Sequence, residues 1–256
     1  MSNRPELPEI NDFPHCYHLS ITPPQTKRAV TSVLLLLHGL GDSEVPFTNL
    51  ARSLALPETV AIALRAPCPI PPFFTGSDLP AFHWSDDLLF DEHTADMDAD
   101  GGFSRAILFL EDILSVLVRR CGFQERDVWI LGYGQGASVG LAFVAKTEKE
   151  RKPLGGFGGI VAIGGGLPKE TLTWIPQTPA AKLKTPVLIC GGSQGTQITK
   201  GVLSALKYRF DDVRYVKWEK EGDGMPKNRD EMFPIMQFFA SRLRTRAGVP
   251  DGAVEL

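Results

Sequence analysis

Histidine runs out early in this chain. Its five imidazoles are His15, His18, His38, His83 and His93, and none follows in a sequence of 256 residues. Any chemistry in the second half that needs a neutral base near pH 7 is therefore deprived of the side chain best suited to it. Cysteine is also sparse: Cys16, Cys68, Cys121 and Cys190 are scattered, three of them beside apolar segments, with no C-x-x-C pair. That pattern implies buried, reduced thiols in an intracellular protein, with the cytosol as the expected compartment and the nucleus also open. No apolar run reaches the ~18 residues of a membrane span, and no charged-then-apolar leader opens the chain. With a formal charge of −3 and a pI near 6, there is no electrostatic case for nucleic acid or an anionic membrane as a partner.

What is present is an alternation of strand and helix signals. Val33–His38 is a continuous apolar run of the kind buried on both faces of a sheet, and Val60–Ala66 is a second. Helical spacing follows over Gly102–Cys121, with Phe103, Ile107, Leu110, Ile113, Leu114, Leu117 and Val118 on one face. Val128–Tyr133 reads as a strand running into a helix over Ala137–Lys146, and Ile160–Ile163 and Pro186–Cys190 as short buried strands. Ile198–Phe210 is helical, Val213–Trp218 alternates as a strand, and Asp230–Leu243 is a closing amphipathic helix. Such alternation predicts one α/β domain: a mostly parallel central sheet with helices on both faces. The expected organisation is a flexible, proline-rich arm over residues 1–14, the domain over 15–244, and a frayed tail over 245–256. Ligands in such sheets bind beyond the carboxyl ends of the strands.

Three motifs overlap in DVWILGYGQGASVG, Asp127–Gly140. Gly132 to Ala137 satisfies the dinucleotide fingerprint G-x-G-x-x-G/A. At least two strands precede it, however, and the region about 20 residues on, KTEKERKP, supplies no acidic strand end. Gly136-Ala-Ser138-Val-Gly140 spells G-x-S-x-G, but Ser138 falls about one turn into the helix. A serine nucleophile must stand on the sharp turn itself, so Ser138 is expected to pack on a neighbour or bond back to a carbonyl. Gly132-Tyr133-Gly134-Gln135-Gly136 is in the correct register for that turn, with glycine where the nucleophile belongs.

The chain resembles the phospholipase/carboxylesterase family of α/β-hydrolases, which includes the acyl-protein thioesterases. The resemblance is carried by LLLLHGLGD (Leu34–Asp42), PFTNLARSLALP, TVAIALRAP (Thr59–Pro67), HWSD (His83–Asp86), GYGQGA and EMFPIMQFFASRL (Glu231–Leu243). It implies a single-domain α/β-hydrolase fold. In that family the turn reads G-F-S-Q-G and its serine attacks an ester or thioester carbonyl; the matching position here is Gly134. The family's acid position falls on Gly195, and its histidine position on Asp223 or Met225. Its oxyanion hole is made of backbone N–H groups that map to Leu40 and Gln135. Chain order in this fold is nucleophile, acid, histidine; with no histidine after residue 93, the usual triad cannot be assembled. Loss of a triad costs about 10⁶-fold, while the remaining hole and binding give about 10³–10⁴ over water. At 1.36 kcal/mol per decade the deficit is roughly 8 kcal/mol of transition-state stabilisation.

The resemblance therefore implies a catalytically inactive member acting by binding, with an acyl or small apolar ligand, or a protein partner, in the former cleft. The sequence sets no oligomeric state. Candidate cleft residues are His38, Phe74, His83, Trp84, Asp86 and Met225, within or beyond the aromatic-rich stretch Pro67–Phe90 that also holds Phe73, Phe82 and Phe90. Two alternatives stand beside it: differently catalysed chemistry using Leu40, Gln135, His38, His83, Asp86, Asp223 or Glu221, and weak ester hydrolysis through Ser138 or Ser193. Asp96–Gly101 matches the opening of a calcium loop, but Ile107 stands where a bidentate glutamate is required. That loop, like the acidic surroundings of His83 and His93, reads as solvated surface, and neither cofactor nor metal is expected.

Overall fold

The computed structural model describes residues 4–26, 28–87, 89–91, 96–98, 102–151, 156–174 and 182–244. The first elements are β1 (Leu19–Thr22), β2 (Ser32–Leu37), α1 (Glu44–Leu54), β3 (Thr59–Leu64), β4 (Cys68–Ile70), α2 (Pro72–Thr75) and β5 (Ala81–His83). Next come β6 (Leu89–Asp91), β7 (Asp96–Asp98), α3 (Ser104–Arg119), β8 (Val128–Tyr133) and α4 (Gln135–Arg151). The chain continues through β9 (Gly159–Ile163), α5 (Lys169–Trp174), β10 (Val187–Gly191), α6 (Lys200–Arg209), β11 (Val213–Lys217) and α7 (Arg229–Ala240).

Seven strands form one sheet in the order β1-β3-β2-β8-β9-β10-β11. All neighbours are parallel except β1, which runs antiparallel to β3 with Leu19 opposite Leu64. β2 and β3 both lie inside the sheet, and every residue of both is buried, as a strand covered on two faces requires. Alternate residues feed two cores. Val33, Leu35, Leu37, Ile130 and Ile160 face a layer built from α3, α4 and α6, while Leu34, Leu36, Trp129, Leu131 and Val161 face α1 and α7. This is the single-domain, mostly parallel sheet with helices on both faces that the sequence pattern implied. Among the described residues no helix is long and apolar enough to cross a membrane.

Two strand features were not legible. Strand β1 is half-buried throughout its four residues, so it carries neither a continuous nor an alternating signal. The aromatic stretch after β3 folds into the β4–β5 hairpin, with Cys68 opposite His83, rather than one long loop. The calcium-like motif is divided: Asp96–Asp98 pairs as strand β7 with Leu89–Asp91, and the rest of the motif, like Glu92 and His93, lies outside the described residues. So does the tail, residues 245–256.

The expected loose arm needs correction for the residues described. Glu6 N–H donates to Cys121 O at 2.8 Å, Ile10–Asp12 forms a 3₁₀ turn, and Phe13 is buried in the core with α3. Cys16 is exposed, unlike the other three cysteines. Truncating a buried phenylalanine costs about 3–5 kcal/mol. Urea denaturation of Phe13→Ala is accordingly expected to show a loss of that order; a change below about 0.5 kcal/mol, the range of ordinary surface substitutions, would mean the arm is loose after all.

Candidate functional site

The turn between β8 and α4 is defined by contacts that admit no side chain. A methyl group on Gly132 would fall 2.5 Å from Gly136 O and 2.6 Å from Ala137 Cα. One on Gly136 would collide with the carbonyl oxygens of Leu37 and His38, and one on Gly165 with Gly134 O. Strand β2, the turn and the end of β9 thus meet backbone to backbone, the close approach that glycine permits. Between them Gly134 adopts φ +53°, the left-handed conformation, with its N–H donating to Ile163 O at 2.8 Å. Its carbonyl accepts from the N–H groups of Ala137 and Ser138 at 3.1 and 3.2 Å.

Position 134 differs from its neighbours in one respect. A Cβ there would meet nothing nearer than Gly39 Cα at 3.9 Å. The turn therefore holds an open place for a side chain, aimed toward the loop that follows β2, and supplies no side chain. Ser138 lies within α4, its Oγ 3.5 Å from Gly134 O; it bonds back along the helix, as its register predicted.

The loop carrying Leu40 reaches this turn. Gly39 packs on the Tyr133 ring so closely that a Cβ would lie 2.8 Å from Tyr133 Cδ1, and Gly41 N–H donates to Phe82 O at 3.0 Å. Gln135 opens α4 and is almost fully buried. Its side-chain Oε1 accepts from Trp84 N–H at 2.7 Å and its Nε2 donates to Ser85 Oγ at 3.3 Å. The two backbone positions that sequence matched to an oxyanion hole are thus brought to the same turn.

The positions matched by resemblance to the family's acid and histidine lie in the loops after β10 and β11. Gly195 takes φ +58° in the loop after β10, a turn with no carboxylate. Asp223 receives three hydrogen bonds from that loop: Gly192 N–H at 2.9 Å, Thr196 Oγ1–H at 2.5 Å and Gln197 N–H at 2.6 Å. Its Cβ also packs on the end of β9, where a Cβ on Gly164 would fall 2.5 Å away. Asp223 is a clamp for the acid loop. Met225 packs against the α1/α7 core and gives its carbonyl to Lys220 Nζ at 3.0 Å. Glu221 is exposed and bridges to Gln194, and the Ser193 hydroxyl donates to Lys220 O at 3.2 Å.

Of the six candidate cleft residues, only Phe74 is exposed. His38 is fully buried, with Nδ1 2.7 Å from Gly39 O and Nε2 3.0 Å from Ala66 N–H. A carbonyl accepts and an amide donates, so the proton sits on Nδ1 and both nitrogens are engaged. Burial holds its pKa below the ordinary value, opposed by the Gly39 hydrogen bond. His83 is buried with Nδ1 2.9 Å from Ser85 Oγ, and its pKa is lowered by burial and then by Arg105. Its hydroxyl partner Ser85 is completely enclosed, out of reach of an external carbonyl. Trp84, expected to wall a cleft, is instead a core residue whose Nε1–H donates to His38 O at 2.8 Å. Asp86 caps α3, accepting from Ser104 and Arg105 N–H at 2.7 and 2.8 Å. Phe73 and Phe74 project instead from α2, 90% and 42% exposed, with Leu79 beyond them at 76%.

His18 lies beside the end of β3, its carbonyl accepting from Arg65 N–H. Three inter-strand steps of about 4.8 Å, roughly 14 Å, separate β1 from β8, too far for a base serving this turn. Thr196, Gln197 and Ser85 were missed in the sequence because their role lies in hydrogen bonds to residues distant in the chain. Thr196 alone carried a faint signal, standing next to the vacant acid position. Among the described residues no three His, Cys, Asp or Glu side chains converge as a metal-ligand set.

A family model described as Phospholipase/Carboxylesterase matches residues 18–238. An uncharacterised hydrolase of Schizosaccharomyces pombe is 26% identical over 231 residues, covering 90% of this chain and 91% of that protein. One of Mycosarcoma maydis is 30% identical over 241 residues, covering 82% and 86%. Among solved structures, esterase PE8 superposes with a TM-score of 0.68 at 22% identity, covering 89% of this chain and 99% of its own. Zea mays acyl-protein thioesterase 2 does so with a TM-score of 0.65 at 21% identity, covering 89% and 99%.

Two outcomes are expected. Asp223→Ala leaves three donors without their acceptor and is expected to cost about 2–4 kcal/mol in urea denaturation, with Asp223→Asn losing roughly half; no loss would remove the clamp. The folded-state pKa values of His38 and His83 are lowered, so below the unfolded value of about 6.5 the unfolded chain takes up protons that the folded one refuses. Stability is expected to be full above that pH and to fall as the pH drops toward 5.5, with the His38 ring nitrogens in NMR spectra reporting a neutral, Nδ1-protonated ring throughout. A His38 ring titrating near 6.5 would contradict this.

Proposed function

Because the chain belongs to the phospholipase/carboxylesterase family and takes its α/β-hydrolase fold, we propose that it is a non-catalytic member that works by binding rather than by hydrolysis. The observation that carries this reading is Gly134: the turn, its φ and the room for a side chain are all kept, and the hydroxyl is missing. Support comes from Asp223, which spends its carboxylate on the acid loop, and from His38, whose two nitrogens are both taken. Backbone donors at Leu40 and Gln135 hold an oxygen without side-chain chemistry. Alone they fall short of a working esterase by roughly 8 kcal/mol.

The occupant in this reading is an acyl or other apolar group, free or displayed on a protein partner, meeting the face where Phe73, Phe74 and Leu79 are exposed. The Phe73 and Phe74 rings meet with centroids 5.5 Å apart, and exposed apolar side chains grouped together mark interaction surfaces.

Fluorophosphonate labelling and a thioester-turnover assay on the purified protein test the catalytic half of the proposal. The expected result is no labelling and no turnover, in the wild type and equally in Gly134→Ser, since restoring the hydroxyl restores no base. Turnover by either protein, or labelling lost in Ser138→Ala, would overturn it. For the binding half, native mass spectrometry of protein purified under gentle conditions is expected to show a lipid or a stoichiometric second protein. Loss of that species in Phe73→Ser/Phe74→Ser places it on this face, and its retention places it elsewhere.

A further inference from the structure

An apolar space lies on the α1 side of the sheet, away from the β8–α4 turn. It is a cavity of about 340 Å³ lined by Leu34, Ala51, Leu54, Leu56 and Ala61, with Pro23–Gln25 and Arg52 also in its lining. Its place in the fold follows from register. Thr22, Ala61 and Leu34 stand side by side on β1, β3 and β2, three residues before Leu37 pairs with Gly132 at the turn. At about 3.3 Å per residue that is roughly 10 Å back along the sheet, and Thr59, at the start of β3, extends the cavity further the same way.

Three features make this a built space. Alanine stands at positions 51, 55 and 61, on α1, its carboxyl end and the facing strand, where larger apolar residues would close the gap. The volume falls in the range of small-molecule sites, about 300–1,000 Å³. The rim is also strained: among the described residues the only non-glycine residues with positive φ are Ala55 (+44°) and Glu58 (+53°). Both lie in the four-residue turn from α1 to β3, whose Ala55 and Leu56 line the cavity. Such conformations are sparsely populated for residues with a Cβ and concentrate at ligand clamps.

Charge decides the occupant. Arg52 is exposed; among the described residues its guanidinium bonds within its own helix, to Asn49 Oδ1 at 2.9 Å, and none of those lining the cavity is acidic. We infer that this cavity is a binding site for a medium-chain alkyl carboxylate, the chain lying between α1 and the sheet and the carboxylate meeting the Arg52 guanidinium, a pairing its fork geometry suits. The site is independent of the β8–α4 turn and of whether that turn catalyses anything.

Isothermal titration calorimetry with decanoate below its micelle concentration tests this, with 1-decanol as the uncharged arm. Saturable binding at one site is expected, with decanoate at least about tenfold tighter than the alcohol. Arg52→Gln should lose that difference while leaving decanol binding unchanged, and Arg52→Lys should recover part of it. Ala51→Leu and Ala61→Leu, made separately so that either suffices, should each weaken both ligands at least tenfold. Absence of saturable binding to the wild type would overturn the assignment, as would decanoate affinity unaltered by Arg52→Gln and by the leucine variants. Loss of decanoate binding in Phe74→Ser, with Arg52→Gln and the leucine variants silent, would place the ligand on the Phe73/Phe74 face and overturn it equally.

Discussion

The backbone contact between the β8–α4 turn and strand β2 is what the rest of the molecule is arranged around. Gly136 lies against the carbonyls of Leu37 and His38, Gly132 against Gly136 and Ala137, and Gly165 against Gly134 O. Those approaches fix where α4 leaves the sheet, and with it how α3 and α4 cover one face. They also explain how the turn persists without its serine. In a hydrolase the strained turn presents a nucleophile; here the same glycines are required by packing alone. Glycine at position 134 therefore leaves the architecture of the turn untouched.

The polar groups around the turn are tied into the structure. Asp223, which with Met225 is one of the two positions matched to the family's histidine, binds one hydroxyl and two backbone N–H groups. His38 joins the ends of β2 and β3 through Gly39 O and Ala66 N–H. Trp84 locks the same region through His38 O and the Gln135 amide. These hydrogen bonds tie together the loops at the carboxyl edge of the sheet.

Much of the fold was legible because it rests on local patterns. The unbroken apolar runs of β2 and β3 announce strands buried on both faces, and the spacing of Phe103 to Leu117 announces α3. Strand β1 escaped because half-burial at an edge leaves no pattern. The missing hydroxyl at Gly134 was also plain in the sequence, since glycine can have no other chemistry. The candidate cleft was not. Trp84 and His83 were read as wall residues from composition, yet their places are set by partners such as His38 and Gln135, distant in sequence. Asp86 is a helix cap because backbone donors at Ser104 and Arg105 meet it, and backbone donors leave no mark in a sequence. The cavity beside α1 is made of what is small, Ala51 and Ala61 among ordinary leucines, and only the pairing of β1, β3 and β2 brings those alanines together.

The central claim, that this turn carries no covalent chemistry, is tested most directly by intact-mass measurement of the full-length protein quenched at short times during incubation with an activated thioester. An acyl-enzyme intermediate is the step that a nucleophile at this turn would perform. The account predicts a single species at the unmodified mass at every time point. A transient adduct that maps to the β8–α4 turn or to Ser193, and that decays as product forms, would contradict it.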